Sequence, residues 1–173
     1  MTSVVKPLVN TERAWVALHQ VLDPEVPALS ICDLGIVRDV LENECGLEVV
    51  LTPTYSGCPA TEVIAQNVHD ALGLAGLGQV TVTYRKAPAW TTDWISAAGR
   101  QKLHDYGIAP PGHASNAIGI AINAAISIRP RGIDCPRCES PQTERLSAFG
   151  STTCKALYRC LVCREPFEYF KPI

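Results

Sequence analysis

The sequence predicts an α+β protein: a small two-layer α-β-β-α-β domain followed by a cysteine-rich C-terminal β-hairpin ribbon. Apolar residues recur first at helical and then at strand spacing along the N-terminal part of the chain. Five of the eight cysteines crowd into the last 39 of the 173 residues. The composition, 47% hydrophobic and 18% charged, is that of an ordinary globular protein and excludes wholesale disorder.

The elements of the first domain follow in order. Asn10 or Thr11 can cap a helix that ends before Pro24 and Pro27. The runs GIVRDVLE and GLEVVLT read as two strands of an antiparallel hairpin, with Cys45 in the turn. Residues 59–73 form a second helix, with one face marked by Val63, Asn67 or Val68, and Ala71 or Leu72. QVTVTYRKA is a third strand.

The second half of the chain is less regular. Residues 92–106 can form a helix beginning at Asp93, and PPGHASN has the composition of a linker. Residues 117–128 fit a strand or a helix equally well. We therefore expect a domain over residues 1–108, a linker over 109–132 and a ribbon domain over 133–173.

Charge and hydropathy restrict the partners and the location. The net charge is −2, and residues 131–173 carry only 7 basic against 5 acidic residues, too small an excess for a nucleic-acid surface. The longest apolar run, residues 117–128, is well short of the about 20 residues that span a bilayer. The N-terminus has no signal-peptide pattern. We expect a cytoplasmic protein without membrane or nucleic-acid partners, whose thiols are reduced and available to metal.

Two Cys-x2-Cys pairs in the tail have the spacing of a zinc site. Each pair can place two sulfurs about 2.3 Å from one ion, and two pairs complete a closed tetrahedral shell. Iron, a redox dithiol or unconnected core cysteines are the alternatives. A closed zinc site leaves no position for substrate, so the ribbon is structural or a docking surface. The four predicted ligands are Cys135, Cys138, Cys160 and Cys163.

Other residues of the tail have simpler explanations. Cys154 lies alone between the two pairs, which favours a buried position beside the site over a place among the ligands. The tail also carries aromatic residues that we expect to pack the ribbon hairpins: Tyr158, Phe167, Tyr169 and Phe170.

Cys58 immediately precedes Pro59 and the second helix, where free amides and the helix dipole favour a thiolate. A thiolate is a metal ligand and a nucleophile. The alternative is a small apolar residue at a helix start. His69 lies about three turns along the same helix, too far to act as a base, and no catalytic residue is predicted.

An acidic loop lies upstream of the hairpin. Asp23, Glu25 and Asp33 could form an acidic site, although loop aspartates more commonly cap or turn the chain.

The segments DPEVPALSICDLGIVRDV and TPTYSGCPA resemble the signature of iron-sulfur assembly domains of the SufT kind, over about residues 12–108. The resemblance places the family's reactive cysteine on Cys58 and its acidic loop on Asp23, Glu25 and Asp33. Cys32 stands where the family has an aliphatic residue, and is either a second thiol ligand or a local variation. The tail, with WTTDWISAAGRQKL and GIAPP, resembles the D components of bacterial phenylacetate-degradation systems.

This resemblance implies an accessory protein of the multicomponent oxygenase that epoxidises the ring of phenylacetyl-CoA. The chain would assist assembly of iron or iron-sulfur centres through Cys58, with structural zinc and a transiently held iron or cluster. Because a cluster takes about four ligands, the others must come from Cys32, a second subunit, a small thiol or the client, and a homodimer is one way to supply them. The alternatives are a non-catalytic structural subunit and a zinc-ribbon interaction module without a reactive thiol.

Overall fold

The computed structural model describes residues 9–55, 57–112 and 133–173. The chain divides into two compact units, Met1–Trp90 and Thr91–Ile173. Both units contain helix and strand, which confirms the mixed α+β class. Among the residues described, no helix combines the length and apolar character that crossing a membrane requires.

The first unit has the predicted order α-β-β-α-β. Its three-stranded sheet has the order β1-β2-β3, with β1 antiparallel to β2 and β2 parallel to β3, so that α2 forms the crossover between the two parallel strands. The bounds are α1 Asn10–Leu18, β1 Val37–Asn43, β2 Gly46–Leu51, α2 Ala60–Leu74 and β3 Val80–Tyr84.

The hairpin between β1 and β2 turns at Asn43–Gly46, with Cys45 exposed in the turn. Gly46 has φ +124°, and a Cβ there would lie 2.3 Å from the carbonyl oxygen of Gln79. Only glycine satisfies both conditions. Leu47 donates its amide to the same Gln79 oxygen at 2.9 Å, which ties the turn to the start of β3.

The buried face of α2 contains Ile64 in place of the predicted Val63, and of the alternatives left open it contains Val68 and Leu72. Val63 is 49% exposed, whereas its neighbour Ile64 is buried. Because helix positions four apart share a face, the buried set repeats at that interval: Ala60, Ile64, Val68 and Leu72.

The second unit is built around a four-stranded sheet of order β4-β7-β6-β5. A short 3₁₀ helix and α3 precede it, and β4 is parallel to β7 while the other pairs are antiparallel. The bounds are 3₁₀ helix Thr92–Trp94, α3 Ala97–Asp105, β4 Ile108–Ala109, β5 Thr143–Ser147, β6 Lys155–Cys160 and β7 Pro166–Phe170.

The aromatic residues of the tail pack within this sheet, as expected. Tyr158 stacks on Phe167 with ring centroids 5.9 Å apart and meets Tyr169 edge-on at 5.7 Å. Phe170 is 1% exposed. Two cysteines join the same core, Cys135 and Cys160.

The second unit begins earlier than the sequence suggested. Residues 91–108, expected in the first domain, lie in the C-terminal unit because Ile108–Ala109 pairs with β7. The segment 92–106, expected to form one helix, forms the 3₁₀ helix and then α3. The Ser96 hydroxyl accepts the Gly99 amide at 2.9 Å and caps the start of α3. The ambiguous segment 117–128 and most of the expected linker lie outside the described residues.

Candidate metal centre and thiol site

Four ribbon cysteines converge on one point. The sulfurs of Cys135, Cys138, Cys160 and Cys163 all lie within 4.8 Å of one another. Sγ of Cys135 is 3.7 Å from Sγ of Cys163, and Sγ of Cys138 is 3.5 Å from Sγ of Cys160. Sulfurs about 2.3 Å from a tetrahedral ion are separated by about 3.8 Å. The donor set and its spacing therefore fit a closed metal site.

The two cysteine pairs sit on similar turns. Glu139 follows the first pair with φ +58°, and Arg164 follows the second with φ +66°. In the first turn the Glu139 amide donates to the Cys135 carbonyl at 2.8 Å, and in the second the Cys160 amide donates to the Glu165 carbonyl at 3.0 Å. A left-handed residue reverses the chain after each pair, which directs both pairs toward the same point.

Backbone amides also favour the thiolate of Cys160. Burial would raise the pKa of this thiol, but the amides of Cys163 and Val162 donate to its sulfur and, with the neighbouring thiols, lower the pKa to about 6. A group that is already a thiolate at neutral pH binds a cation without first losing a proton.

Cys154 lies outside this group of four. Its thiol is buried and 3.0 Å from the hydroxyl of Thr152. The structure thus places it in the ribbon core, away from the four converging sulfurs.

Cys58 lies at one end of the first unit's sheet. Val37 pairs with Leu51, and the amide of Arg85 donates to the Leu51 carbonyl, so β1 begins where β2 and β3 end. The loop that leaves β2 at this edge ends at the half-buried Cys58, immediately before α2. The Cys58 carbonyl accepts the amide of Thr61 at 3.2 Å and its hydroxyl at 2.8 Å, which fixes the first turn of α2.

The turn that carries Cys32 leads into β1 at this same edge. Burial, with the neighbouring Asp33 carboxylate, raises the pKa of the Cys32 thiol to about 12. At neutral pH this thiol is protonated, which weakens it as a ligand. The turn is held by Trp90, whose Nε1 donates to the Leu34 carbonyl at 2.8 Å.

The carboxylates of the acidic loop have local partners. Asp23 Oδ1 accepts the amides of Glu25 and Val26 at 2.9 and 2.7 Å. Asp33 Oδ2 accepts both the amide and the hydroxyl of Ser30, at 3.0 and 2.8 Å. Two buried aspartates therefore stabilise the loop, which is the commoner role of aspartates in loops.

These residues do not form a second group of metal ligands. Within residues 9–55, 57–112 and 133–173, three or more possible ligand atoms meet only at the four ribbon cysteines. Cys32, Cys58 and the acidic loop residues Asp23, Glu25 and Asp33 do not converge as a preformed site in this part of the chain. Sequence reasoning missed Thr52 and Trp90, which support the thiol-bearing segments. The position of Thr52 at the start of TPTYSGC was the available signal.

Comparisons with known proteins match both units. The model of the iron-sulfur cluster assembly protein family matches residues 11–84, and that of the PaaD zinc beta ribbon domain matches residues 124–171. The D component of the Escherichia coli K12 "Putative 1,2-phenylacetyl-CoA epoxidase" is 45% identical over 174 residues, covering 100% of this chain and 98% of that protein.

Further similarities cover the first unit. The Bacillus subtilis Fe-S protein maturation auxiliary factor YitW is 39% identical over 82 residues, which are 46% of this chain and 79% of that protein. A solved DUF59 domain from Bacillus anthracis, 26% identical, matches with a TM-score of 0.50 over 54% of this chain and 91% of that one. From the match along the whole chain, together with the two domain models, the protein belongs to the family of 1,2-phenylacetyl-CoA epoxidase D components.

Proposed function

We propose that this protein is a maturation factor of the phenylacetyl-CoA ring 1,2-epoxidase in aerobic phenylacetate degradation. It assists assembly of an iron or iron-sulfur centre through Cys58, and the isolated chain turns over no substrate. The observation that carries the proposal is the position of Cys58, half-buried on the loop between the sheet edge and the first turn of α2, within a domain of the iron-sulfur assembly family.

The ligand set around Cys58 suits a cargo that is held and passed on. An iron-sulfur cluster takes about four protein ligands, whereas Cys58 brings one sulfur, and the raised pKa of the Cys32 thiol makes that thiol harder to deprotonate for metal binding. The remaining ligands come from a small thiol, a second copy of the chain or the client protein. A client that supplies more ligands than the donor binds the cargo more tightly, which gives transfer its direction.

The ribbon performs a different task in this proposal. Cys135, Cys138, Cys160 and Cys163 hold structural zinc, since a closed set of four thiolates matches its ligand preference. Val162, at the tip of the second cysteine turn, is 57% exposed and offers apolar surface to an epoxidase component. We place the protein in the cytoplasm, where thiols stay reduced and available to metal.

One observation favours a second candidate function, a structural subunit without a reactive thiol. The Asp23 and Asp33 carboxylates are bound within their own loop, so no set of ligands stands ready around Cys58 in the described part of the chain. In that case the chain would join the oxygenase complex stoichiometrically and its thiol would be dispensable.

Substitution of Cys58 separates the two functions. Cys58→Ser, co-expressed with the epoxidase components and purified without oxygen, should keep its fold and its zinc but lose bound iron and support of ring epoxidation. Cys45→Ser, which changes an exposed hairpin thiol, is the matched control and should behave as the wild type. Full epoxidation with Cys58→Ser, in a complex that still contains the chain, would establish the structural role instead.

A further inference from the structure

One buried hydroxyl in the first unit has no hydrogen-bond partner. Thr52 is 2% exposed, and among the described residues its Oγ1 is the buried side-chain oxygen or nitrogen left unsatisfied. The Thr52 backbone, by contrast, is anchored: its amide donates to the Ile36 carbonyl at 2.8 Å.

Such a hydroxyl lowers the stability of the fold. Burying a polar group without a partner costs free energy that a methyl group in the same place would not cost. Apolar residues precede Thr52 along β2, with Val49, Val50 and Leu51 all buried. Packing and strand propensity would both accept valine at position 52. An unsatisfied polar group in such a place calls for an explanation outside folding.

The position of Thr52 supplies that explanation. It is the first residue after β2, at the edge where β1 begins, and it starts the loop that ends at Cys58. The loop is anchored at its far end by the bonds from Thr61 to the Cys58 carbonyl. If the loop rearranged, Thr52 and Cys58 would therefore be the two fixed ends between which it moved.

We propose that Thr52 is a positioning residue for Cys58. Its hydroxyl acquires a hydrogen-bond partner in the Cys58 loop when Cys58 takes up iron, and the bond stabilises the loaded arrangement of the loop. This inference rests on the proposed function, because it requires that Cys58 binds iron. The hydroxyl thus lowers the stability of the iron-free protein and stabilises the Cys58 loop in the iron-bound protein.

The test compares Thr52→Val, Thr52→Ser and Thr81→Val in the full chain. Thr81 is exposed on β3, so its replacement is the matched control for the loss of a hydroxyl. Each anaerobic protein is titrated with ferrous iron in thiol-free buffer, and protection of Cys58 from iodoacetamide measures site occupancy. Thermal unfolding of the iron-free proteins is followed in parallel.

Thr52→Val should melt at or above the wild-type temperature yet bind iron about tenfold more weakly, the factor that one ordinary hydrogen bond supplies. Thr52→Ser should restore most of the affinity, and Thr81→Val should leave it unchanged. Wild-type affinity in Thr52→Val would overturn the inference. A lower melting temperature for Thr52→Val would show that the hydroxyl already has a structural partner, and would also overturn it.

Iron bound per chain, measured by equilibrium dialysis because Cys58→Ser has no thiol at position 58 to alkylate, distinguishes failure of the proposed function. If wild type and Cys58→Ser bind ferrous iron equally, or neither binds it, Cys58 is not an iron site, and both proposals are wrong. If Cys58→Ser loses binding while Thr52→Val retains it, only the role of Thr52 is wrong.

Discussion

Replacing Trp90 with phenylalanine should loosen the turn that carries Cys32. The indole is 3% exposed, and its Nε1 donates to the Leu34 carbonyl across a long stretch of sequence. Leu34 is itself 2% exposed. Trp90→Phe keeps an aromatic ring in place but removes the donor, leaving that buried carbonyl without this bond.

The expected cost follows from these two changes. A buried polar group that loses its partner costs about 1–3 kcal/mol. The smaller ring adds a packing loss, although less than the about 3–5 kcal/mol of a full truncation to alanine. We expect about 2–3 kcal/mol in total. For a domain of roughly this size that corresponds to a fall in Tm on the order of 10 °C.

The assay measures local as well as global stability. Thermal unfolding gives the change in Tm, and peptide mass spectrometry after iodoacetamide treatment gives the alkylation rate of each cysteine. The half-buried Cys32 should react faster in Trp90→Phe because the turn opens more often. Trp15→Phe, a half-buried indole on α1, is the matched control. Equal losses of Tm in both variants, with no change at Cys32, would refute the reasoning.

The remaining predictions concern the ribbon. Cys160→Ser should release the metal and unfold the tail, whereas Cys154→Ser should keep one zinc per chain by elemental analysis; full retention in both would show a wrong ligand assignment. Burial opposes ionisation of Glu168, but the Ser151 amide and the Lys155 ammonium 3.0 Å away outweigh it and lower the Glu168 pKa. That stabilisation is present above the ordinary carboxyl pKa and is lost as pH falls through the lowered one, so acid should destabilise the ribbon. Glu168→Gln should flatten this dependence in pH-resolved unfolding; an unchanged slope would contradict it.

Local patterns in the sequence predicted much of this architecture. The hairpin of β1 and β2 depends on a turn of neighbouring residues, and the four converging cysteines depend on two short motifs whose spacing metal chemistry dictates. The face of α2 was wrong at Val63 and left open at its other positions, because Val63 and Ile64 are equally apolar and only packing distinguishes them. The spacing of apolar residues shows that a segment is helical more securely than it shows which face of the helix is buried.

Contacts between distant segments could not be predicted in this way. The short β4 joins the ribbon only through β7, so residues 91–108 gave no sign of belonging to the C-terminal unit. Folding also creates the bond from Trp90 to Leu34 and buries the unsatisfied hydroxyl of Thr52. Both features arise only when three segments meet at one sheet edge. Such features depend on which distant segments the topology brings together, and a single sequence indicates this only weakly.

The two groups of thiols illustrate how surroundings decide the use of a cysteine. In the ribbon, amide donors and neighbouring thiols make Cys160 a thiolate within a closed set, an arrangement suited to keeping a metal. At the sheet edge, the Cys32 thiol is held protonated, and the Asp23 and Asp33 carboxylates are bound to their own loop. Metal bound by Cys58 in the proposed role would therefore meet an incomplete ligand set within the described part of the chain. In the proposed role that incompleteness is an advantage, because a carrier that satisfied every coordination position would compete with its client for the cargo.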